Sequence, residues 1–318
     1  MREYRTAVFD NRRWKDFKHR DDDIFVCTPA KCGTTWMQTI VANLLWPDGN
    51  LPGPVMTISP WIEALFIPAD EMHGMLEAQT FRRAMKSHTP ADGIPWNPHA
   101  KYVFVGRDGR DVFMSFVNHV ERMKLIDVLN AKAVEDGVPP LPKYTGDIHG
   151  FFEDWVANDS ILFDVVASYW AKRHEPNLLL VHYNDLKVDL SREMHGVASH
   201  LDVRVSDAQW PAVVERCTFE GLRAREDMVG NFDRGFEGGL QGFLFKGTNG
   251  RWRDVLTPEE LATYERRASE RLPTAAARWL AGGPPPRTRL TRGRASDPPL
   301  RKRVRPLRVT RVRCRPTP

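Results

Sequence analysis

Residues 24–36 read IFVCTPAKCGTTW. Four apolar residues give way to small and polar ones, with one lysine, Lys31, and one glycine, Gly33, among them. A short run that is apolar throughout suits a strand buried on both faces. Gly33 suits a tight turn. From there Met37, Ile40, Val41, Leu44 and Leu45 fall at helical spacing and form one apolar stripe. The stretch therefore predicts a strand, a short loop and a helix beginning near Thr34. The first turn of such a helix carries backbone N–H groups without partners, and the macrodipole adds roughly half a positive charge. Lys31 adds a full charge, Thr34 and Thr35 add hydroxyls, and Trp36 offers a flat face to a purine. Together they make an anion cradle of phosphate size. Taken alone, the same residues also describe a threonine-capped turn beside a surface lysine.

The ATP-type loop is G-x-x-x-x-G-K-[ST], with lysine after glycine and a hydroxyl for Mg²⁺. This stretch lacks the first glycine and puts Lys31 before Gly33, which disfavours a metal-dependent kinase or ATPase. Two further strand-like runs follow, YVFVG (102–106) with a helix from about 110, and LLLVHY (178–183) with a helix from about 187. Strand–helix alternation predicts an α/β fold: a single domain with a mostly parallel central sheet flanked by helices and a P-loop-like phosphate-binding loop after the first strand. Ligands of such sheets bind beyond the carboxyl ends of the strands. Thr257-Pro258-Glu259-Glu260 carries an N-cap, a first-turn proline and an N3 glutamate, and predicts another helix start.

Composition narrows the class. The chain has 318 residues, 42% of them hydrophobic and 27% charged, which suits one globular core. It contains no run of about 18 uncharged apolar residues and no apolar segment near its N-terminus, so neither a transmembrane helix nor a secretory leader is expected. The cysteines, Cys27, Cys32, Cys217 and Cys314, follow no zinc or disulfide spacing, and a cytoplasmic, reducing compartment is the expectation. The net charge of +5 is unevenly placed. Residues 282–318 hold eleven arginines, one lysine and one aspartate, net +11, which leaves −6 for residues 1–281. This Arg/Pro-rich tail has too few apolar residues to offset chain entropy and is expected to be disordered. Its charge suits a polyanion, yet it has no aromatic residue to stack on bases, so nucleic-acid binding is disfavoured. The stretch 121–150 has weak periodicity and reads as a partly ordered excursion, either a lid or a passive insertion.

The motifs now fall into a known order. TPAKCGTTW resembles the 5′-phosphosulfate loop of the cytosolic-type sulfotransferases, T-Y-P-K-S-G-T-T-W. KYVFVGRDGRDVFMSF (101–116) resembles that family's 3′-phosphate motif, with Arg107 and Ser115 at the matching places. Arg107 just past a strand end and Ser115 two turns into the next helix can face one ligand edge. FKGTNGRW (245–252) resembles the signature R-K-G-x-x-G-x-W through Lys246, Gly247, Gly250 and Trp252. It departs at Phe245, where the family has arginine, and Arg251 is a candidate substitute. LLLVHYNDL is similar to the family's strand ending in Y-E-D-L, which implies Tyr183 near the adenine. CTFEGL (217–222) is similar to T-S-F-x-x-M, which implies a purine wall of Cys217, Thr218 and Phe219. The resemblance spans about residues 20–265, and makes 1–281 the expected sulfotransferase domain.

The resemblance implies 3′-phosphoadenosine 5′-phosphosulfate (PAPS) as donor, PAP as product, and no metal. It also implies chemistry. KSHTP (86–90) resembles the family's K-[TS]-H-x-P, whose histidine is the general base, so His88 takes that role here. Histidine suits the task because its pKa lies near working pH. Lys86 lies on the same strand face and can support charge at the sulfuryl group. Lys31 is the implied stabiliser of the departing oxygen, and Ser115 the implied restraint on Lys31. Trp61, Ile62, Phe66 and Trp96 are either an apolar acceptor pocket or ordinary core. A small apolar acceptor bearing a hydroxyl, such as a phenol, sterol or lipid alcohol, is expected. TPEEL stands where the family has its short dimer motif, and the oligomeric state stays open. The competing classes are a metal-dependent small-molecule kinase, a nucleic-acid binder acting through the tail, and a catalytically dead relative; Lys31, His88 and Ser115 argue against the last.

Overall fold

Four strands, Ile24–Cys27 (β1), Ala84–Ser87 (β2), Lys101–Gly106 (β3) and Leu178–His182 (β4), form one sheet in a computed structural model that describes residues 1–158 and 160–283. The order is β2-β1-β3-β4 and every neighbouring pair is parallel. Successive side chains on a strand point to opposite faces, and the two faces feed two cores. Phe25, Cys27, Met85, Tyr102 and Phe104 join the larger one. Ile24, Val26, Ala84, Val103, Val105 and Val181 join the other, where the first helix, Thr34–Leu45, contributes Met37, Ile40, Val41 and Leu44. The apolar stripe expected of that helix is the face it buries.

The helix Gly109–Glu121 follows β3 as expected. Pro258–Arg271 opens with a complete capping box, Thr257 and Glu260 each bonded to the other's backbone. After β4 the expectation is off by four residues. The helix Tyr183–Val188 begins directly at the strand end, because the His182 imidazole accepts from the Asn184 N–H and caps it; a second helix, Leu190–His200, follows. The stretch 121–150 holds a helix, Ile126–Glu135, and a loop pinned to it by Asn130, whose side chain bonds both backbone groups of Leu141. Its first residues pair with another segment: the Lys124 N–H donates to the Gly235 carbonyl and the Glu237 N–H to that of Arg122.

At the amino ends of the strands Arg83 and Asp23 form a fork, with contacts of 2.8 and 2.7 Å, both side chains fully buried. Among the described residues no helix is long and apolar enough to cross a membrane. The tail expected over 282–318 lies outside the described residues beyond Gly283.

Candidate active site

Register builds the site. Cys27 of β1 is paired with Ser87 of β2, so the next residue on each strand, Thr28 and His88, emerge side by side. Gly106 of β3 is paired with His182 of β4, so Arg107 and Tyr183 emerge side by side as well. Four of the six sequence motifs therefore converge at one edge, the carboxyl ends of the strands. The chain passes from β1 to β2 on one side and β3 lies on the other, so the Lys31 loop occupies the crevice where the strand order reverses.

The loop is held tightly. Gly33 has φ +93°, and an added Cβ would lie 2.8 Å from the Tyr183 ring. Lys31 is left-handed too, φ +68°, an unusual conformation for lysine that costs about 1–3 kcal/mol. Arg107 clamps it, donating from Nη1 to the Lys31 carbonyl at 3.0 Å. The same guanidinium bonds the Asn249 side chain at 2.7 Å and lies 4.2 Å from the Tyr183 ring centroid. Arg107 thus ties the first loop to the 245–250 segment. The helix Thr34–Leu45 has Gly33 as N-cap and no side chain capping its first turn. Thr34 Oγ1 lies 2.6 Å from Thr28 Oγ1.

His88 has a defined tautomer. Its Nδ1 is 2.7 Å from the Thr28 carbonyl oxygen, which can only accept, so Nδ1 carries the proton and Nε2 the lone pair. Trp61 stands edge-on to the imidazole at 4.8 Å. Burial, then the charges of Lys86 and Lys31, hold His88 well below the ordinary histidine range, with the Thr28 bond opposing them. It is neutral at pH 7, a base without its acid form.

Lys31 is half-buried. Its ammonium is 3.1 Å from Nδ1 of His119 and 4.6 Å from the centre of the Phe243 ring. Desolvation, reinforced by Arg107 and Lys86, brings its pKa down to about 7. The ammonium donates to His119 Nδ1, which leaves the proton of that neutral ring on Nε2. Burial, with Lys31, Lys86 and His88 nearby, keeps His119 well below the histidine range. The lysine thus meets His119, one turn beyond Ser115 on the same helix, where the family resemblance implied Ser115. Lys86 lies 4.4 Å from the Trp61 ring, and burial brings it down to about 8 against the upward pull of Glu63. Glu63 is itself fully buried and accepts from Trp14 Nε1 at 2.9 Å and from Ser87.

Of the residues expected to form a purine wall, Trp36, Tyr183 and Cys217 come together. Trp36 Nε1 donates to the Cys217 carbonyl at 2.7 Å, and its ring meets Tyr183 edge-on at 5.3 Å. Cys217 contributes that carbonyl, while its fully buried thiol faces the core and burial pushes it up to about 12. Thr218 caps the helix Phe219–Arg223. Phe219 packs on Gly247, whose missing side chain would sit 2.6 Å from its ring. Lys246 is exposed, 5.4 Å from the Phe245 ring. Ser115 is half-buried on its helix.

Of the apolar residues suggested for an acceptor pocket, Trp61 flanks His88 and Phe66 is 54% exposed. Ile62 is core, and Trp96 stacks on Tyr102 at 3.9 Å, at the amino end of β3 and away from the site. The aromatic cover nearest Lys31 comes from Phe243 and from Phe236, whose ring is 4.8 Å from His119. Sequence reading missed His119, Asn249, Phe236 and Phe243. Phe236 and Phe243 sit in no motif, and Asn249 lies inside FKGTNGRW without having been singled out. For His119 one signal existed: it lies four residues past Ser115, on the same helix face.

Comparison with known proteins gives the family and the fold. The family model described as "Sulfotransferase domain" matches residues 21–274. A glycolipid sulfotransferase of Mycobacterium bovis is 28% identical over 307 residues, covering 88% of this chain and 94% of the relative. Sulfotransferase 1B1 of Mus musculus is 27% identical over 268 residues, covering 80% and 83%. Among solved structures, a mouse sulfotransferase complexed with PAP superposes with a TM-score of 0.64 at 20% identity, covering 85% of this chain and 90% of the other. Retinol dehydratase in complex with retinol and PAP gives 0.66 at 21%, covering 84% and 87%.

Proposed function

The chain belongs to the sulfotransferase domain family, and we propose that it moves a sulfuryl group from PAPS to the hydroxyl of a small, largely apolar acceptor, with His88 as general base. The observation that carries this reading is the β1–β2 register, which sets the Lys31 loop beside an imidazole whose Nε2 is unprotonated and whose other nitrogen is fixed by Thr28.

The residues divide the work. His88 Nε2 takes the acceptor's hydroxyl proton as its oxygen forms the new bond to sulfur. The bond from sulfur to the 5′-phosphate oxygen breaks, and that oxygen leaves with PAP carrying the negative charge. Lys31, the uncapped helix start and the Thr34 and Thr35 hydroxyls lie where that charge would grow, and such preorganised groups lower the barrier most when water is excluded. Donor phosphates beside Lys31 would raise its pKa and keep it charged. Arg107, Ser115, Lys246 and Gly247 hold the nucleotide's phosphates, with Trp36, Tyr183, the Cys217 carbonyl, Thr218 and Phe219 around the base. Lys86, above Trp61, adds positive potential on the acceptor side.

Aromatic cover from Trp61, Phe236 and Phe243 supports an apolar acceptor. The curated mycobacterial relative is named for a glycolipid, which supports a lipid-bearing alcohol over a bare sugar. Buried thiols at Cys27, Cys32 and Cys217 are consistent with a reducing, cytoplasmic setting.

Calorimetry with PAP and with ATP, each with and without Mg²⁺, tests the donor. Binding of PAP that ignores Mg²⁺ is expected, and Mg²⁺-dependent ATP binding without PAP binding would return the kinase reading. Transfer of labelled sulfate from PAPS to a panel of glycolipids, sterols and phenols tests the acceptor; labelling of free sugars alone would reject the apolar assignment.

A further inference from the structure

Position 245 is where this chain departs from the signature it otherwise follows, and the surroundings of Phe245 are cationic. The Arg251 guanidinium lies 5.1 Å from the centre of its ring, that of Arg122 5.3 Å, and the Lys246 ammonium 5.4 Å. Beside the ring opens a cavity of about 530 Å³, lined by Arg122, Arg223, Lys246 and Thr248 among others and by no carboxylate.

Arg251 differs from its neighbours in where it is anchored. Its Nη2 donates to the Met114 carbonyl at 2.8 Å, so the guanidinium lies against the part of the Gly109–Glu121 helix that carries Ser115. Arg122 sits seven residues beyond Ser115, about 10 Å along the helix axis. Arg251 stands two residues past Asn249, whose side chain holds the Arg107 guanidinium at 2.7 Å, and after burial the Arg107 charge is the next cause lowering the Arg251 pKa. Both guanidiniums bond neutral acceptors: Arg251 the Met114 carbonyl, Arg107 the Asn249 side chain and two backbone carbonyls. Asp111, the acid whose charge acts on Arg251, accepts from the Gly250 N–H at 2.6 Å. Two guanidiniums held in proximity by neutral anchors, next to a hydroxyl, match a dianionic phosphate, which each can grip with paired N–H groups.

We propose that Arg251 supplies the second guanidinium for the donor's 3′-phosphate, acting with Arg107 and Ser115, and that Phe245 is the platform on which it lies. The assignment rests on the PAPS reading above. It places the charge that position 245 lacks six residues later in the chain, across a turn closed by Gly247 (φ +61°) and Gly250 (φ +81°).

The test separates the 3′-phosphate from the rest of the nucleotide. Affinities for PAP and for 5′-AMP, which lacks that phosphate, are measured on the full chain and on variants. Arg251→Ala is expected to weaken PAP about 10- to 100-fold, the range of one charge-assisted phosphate contact, and to leave AMP within about twofold. Retained AMP binding and an unchanged melting temperature show the variant is folded. Phe245→Arg added to Arg251→Ala should recover most of the lost PAP affinity, and Arg122→Ala should change the PAP-to-AMP ratio less than about threefold. An unchanged ratio in Arg251→Ala overturns the assignment, as does a selective loss at Arg122 with none at Arg251. If the unmodified chain binds neither nucleotide, the donor reading itself fails, and this assignment with it.

Discussion

His88 and Thr28 are joined across the ends of two parallel strands: Nδ1 of the imidazole donates to the Thr28 carbonyl at 2.7 Å. One hydrogen bond therefore fixes the tautomer of the proposed base and its distance from the Lys31 loop, since Thr28 is the residue from which that loop departs. The Thr28 hydroxyl, 3.3 Å from the same nitrogen, and the edge of Trp61 add to that restraint.

His88→Ala removes the proton acceptor and leaves the nucleotide contacts in place. Sulfuryl transfer should fall by about 10²–10⁴-fold, while PAP affinity stays within a few-fold. Steady-state turnover and PAP calorimetry on the same preparation decide it; near-normal turnover rejects His88 as base.

The pH profile follows from two depressed groups. His88 lies well below its ordinary value, so the base stays deprotonated and kcat/KM should hold its plateau on the acid side to below pH 6.5. Lys31 titrates at about 7 in the free protein, and its charge is lost as pH rises through that value. The kcat/KM for the donor, which reports the free enzyme, should therefore decline above about pH 7. Lys31→Arg, which stays charged, should remove that decline while lowering the maximum. A decline that persists in Lys31→Arg assigns it to another group.

Lys31→Ala should damage both donor affinity and turnover, because in the proposed mechanism the same ammonium serves the donor phosphate and the departing oxygen. A loss of about 10²-fold or more in kcat/KM is expected for a preorganised charge at a developing anion. Unchanged PAP affinity would argue that the lysine stands outside the nucleotide site.

His119→Phe leaves the Lys31 ammonium among aromatic rings without its imidazole acceptor. The lysine pKa should fall further, moving the basic decline of kcat/KM to lower pH, whereas His119→Asn keeps an acceptor and should shift it less. Coincident profiles for all three proteins would show that His119 does not govern Lys31.

Far from the chemistry, the Arg83–Asp23 pair is fully buried. Asp23→Asn leaves a buried guanidinium uncompensated and should cost about 3–5 kcal/mol, read as a melting temperature lower by on the order of 10 °C. Phosphate-site affinities measured well below the transition should be unaffected.

Local sequence settled a good deal of this protein. Three apolar runs became β1, β3 and β4, the Met37–Leu45 stripe became a buried helix face, and Thr257 to Glu260 became a capping box. These features depend on neighbours within a turn or two of the chain, so composition and spacing carry them. Lys31 stood out in its strand–loop–helix stretch, whereas His88, Arg107 and Tyr183 were named through the motifs' resemblance to a family; these three each follow a strand directly, and a parallel sheet gathers such positions at one edge. What spacing did not carry were contacts made across the chain: His119 on Lys31, Asn249 on Arg107, and Phe236 with Phe243 over the site. It also misplaced the helix after β4, whose start is set by the His182 imidazole, and it left Ile62 and Trp96 open between acceptor pocket and core, where the fold commits both to the core. Strand order and register are long-range choices fixed by packing two faces at once. They decided that Thr28 lies beside His88, while a tertiary contact to the Met114 carbonyl sets Arg251 against the helix carrying Ser115.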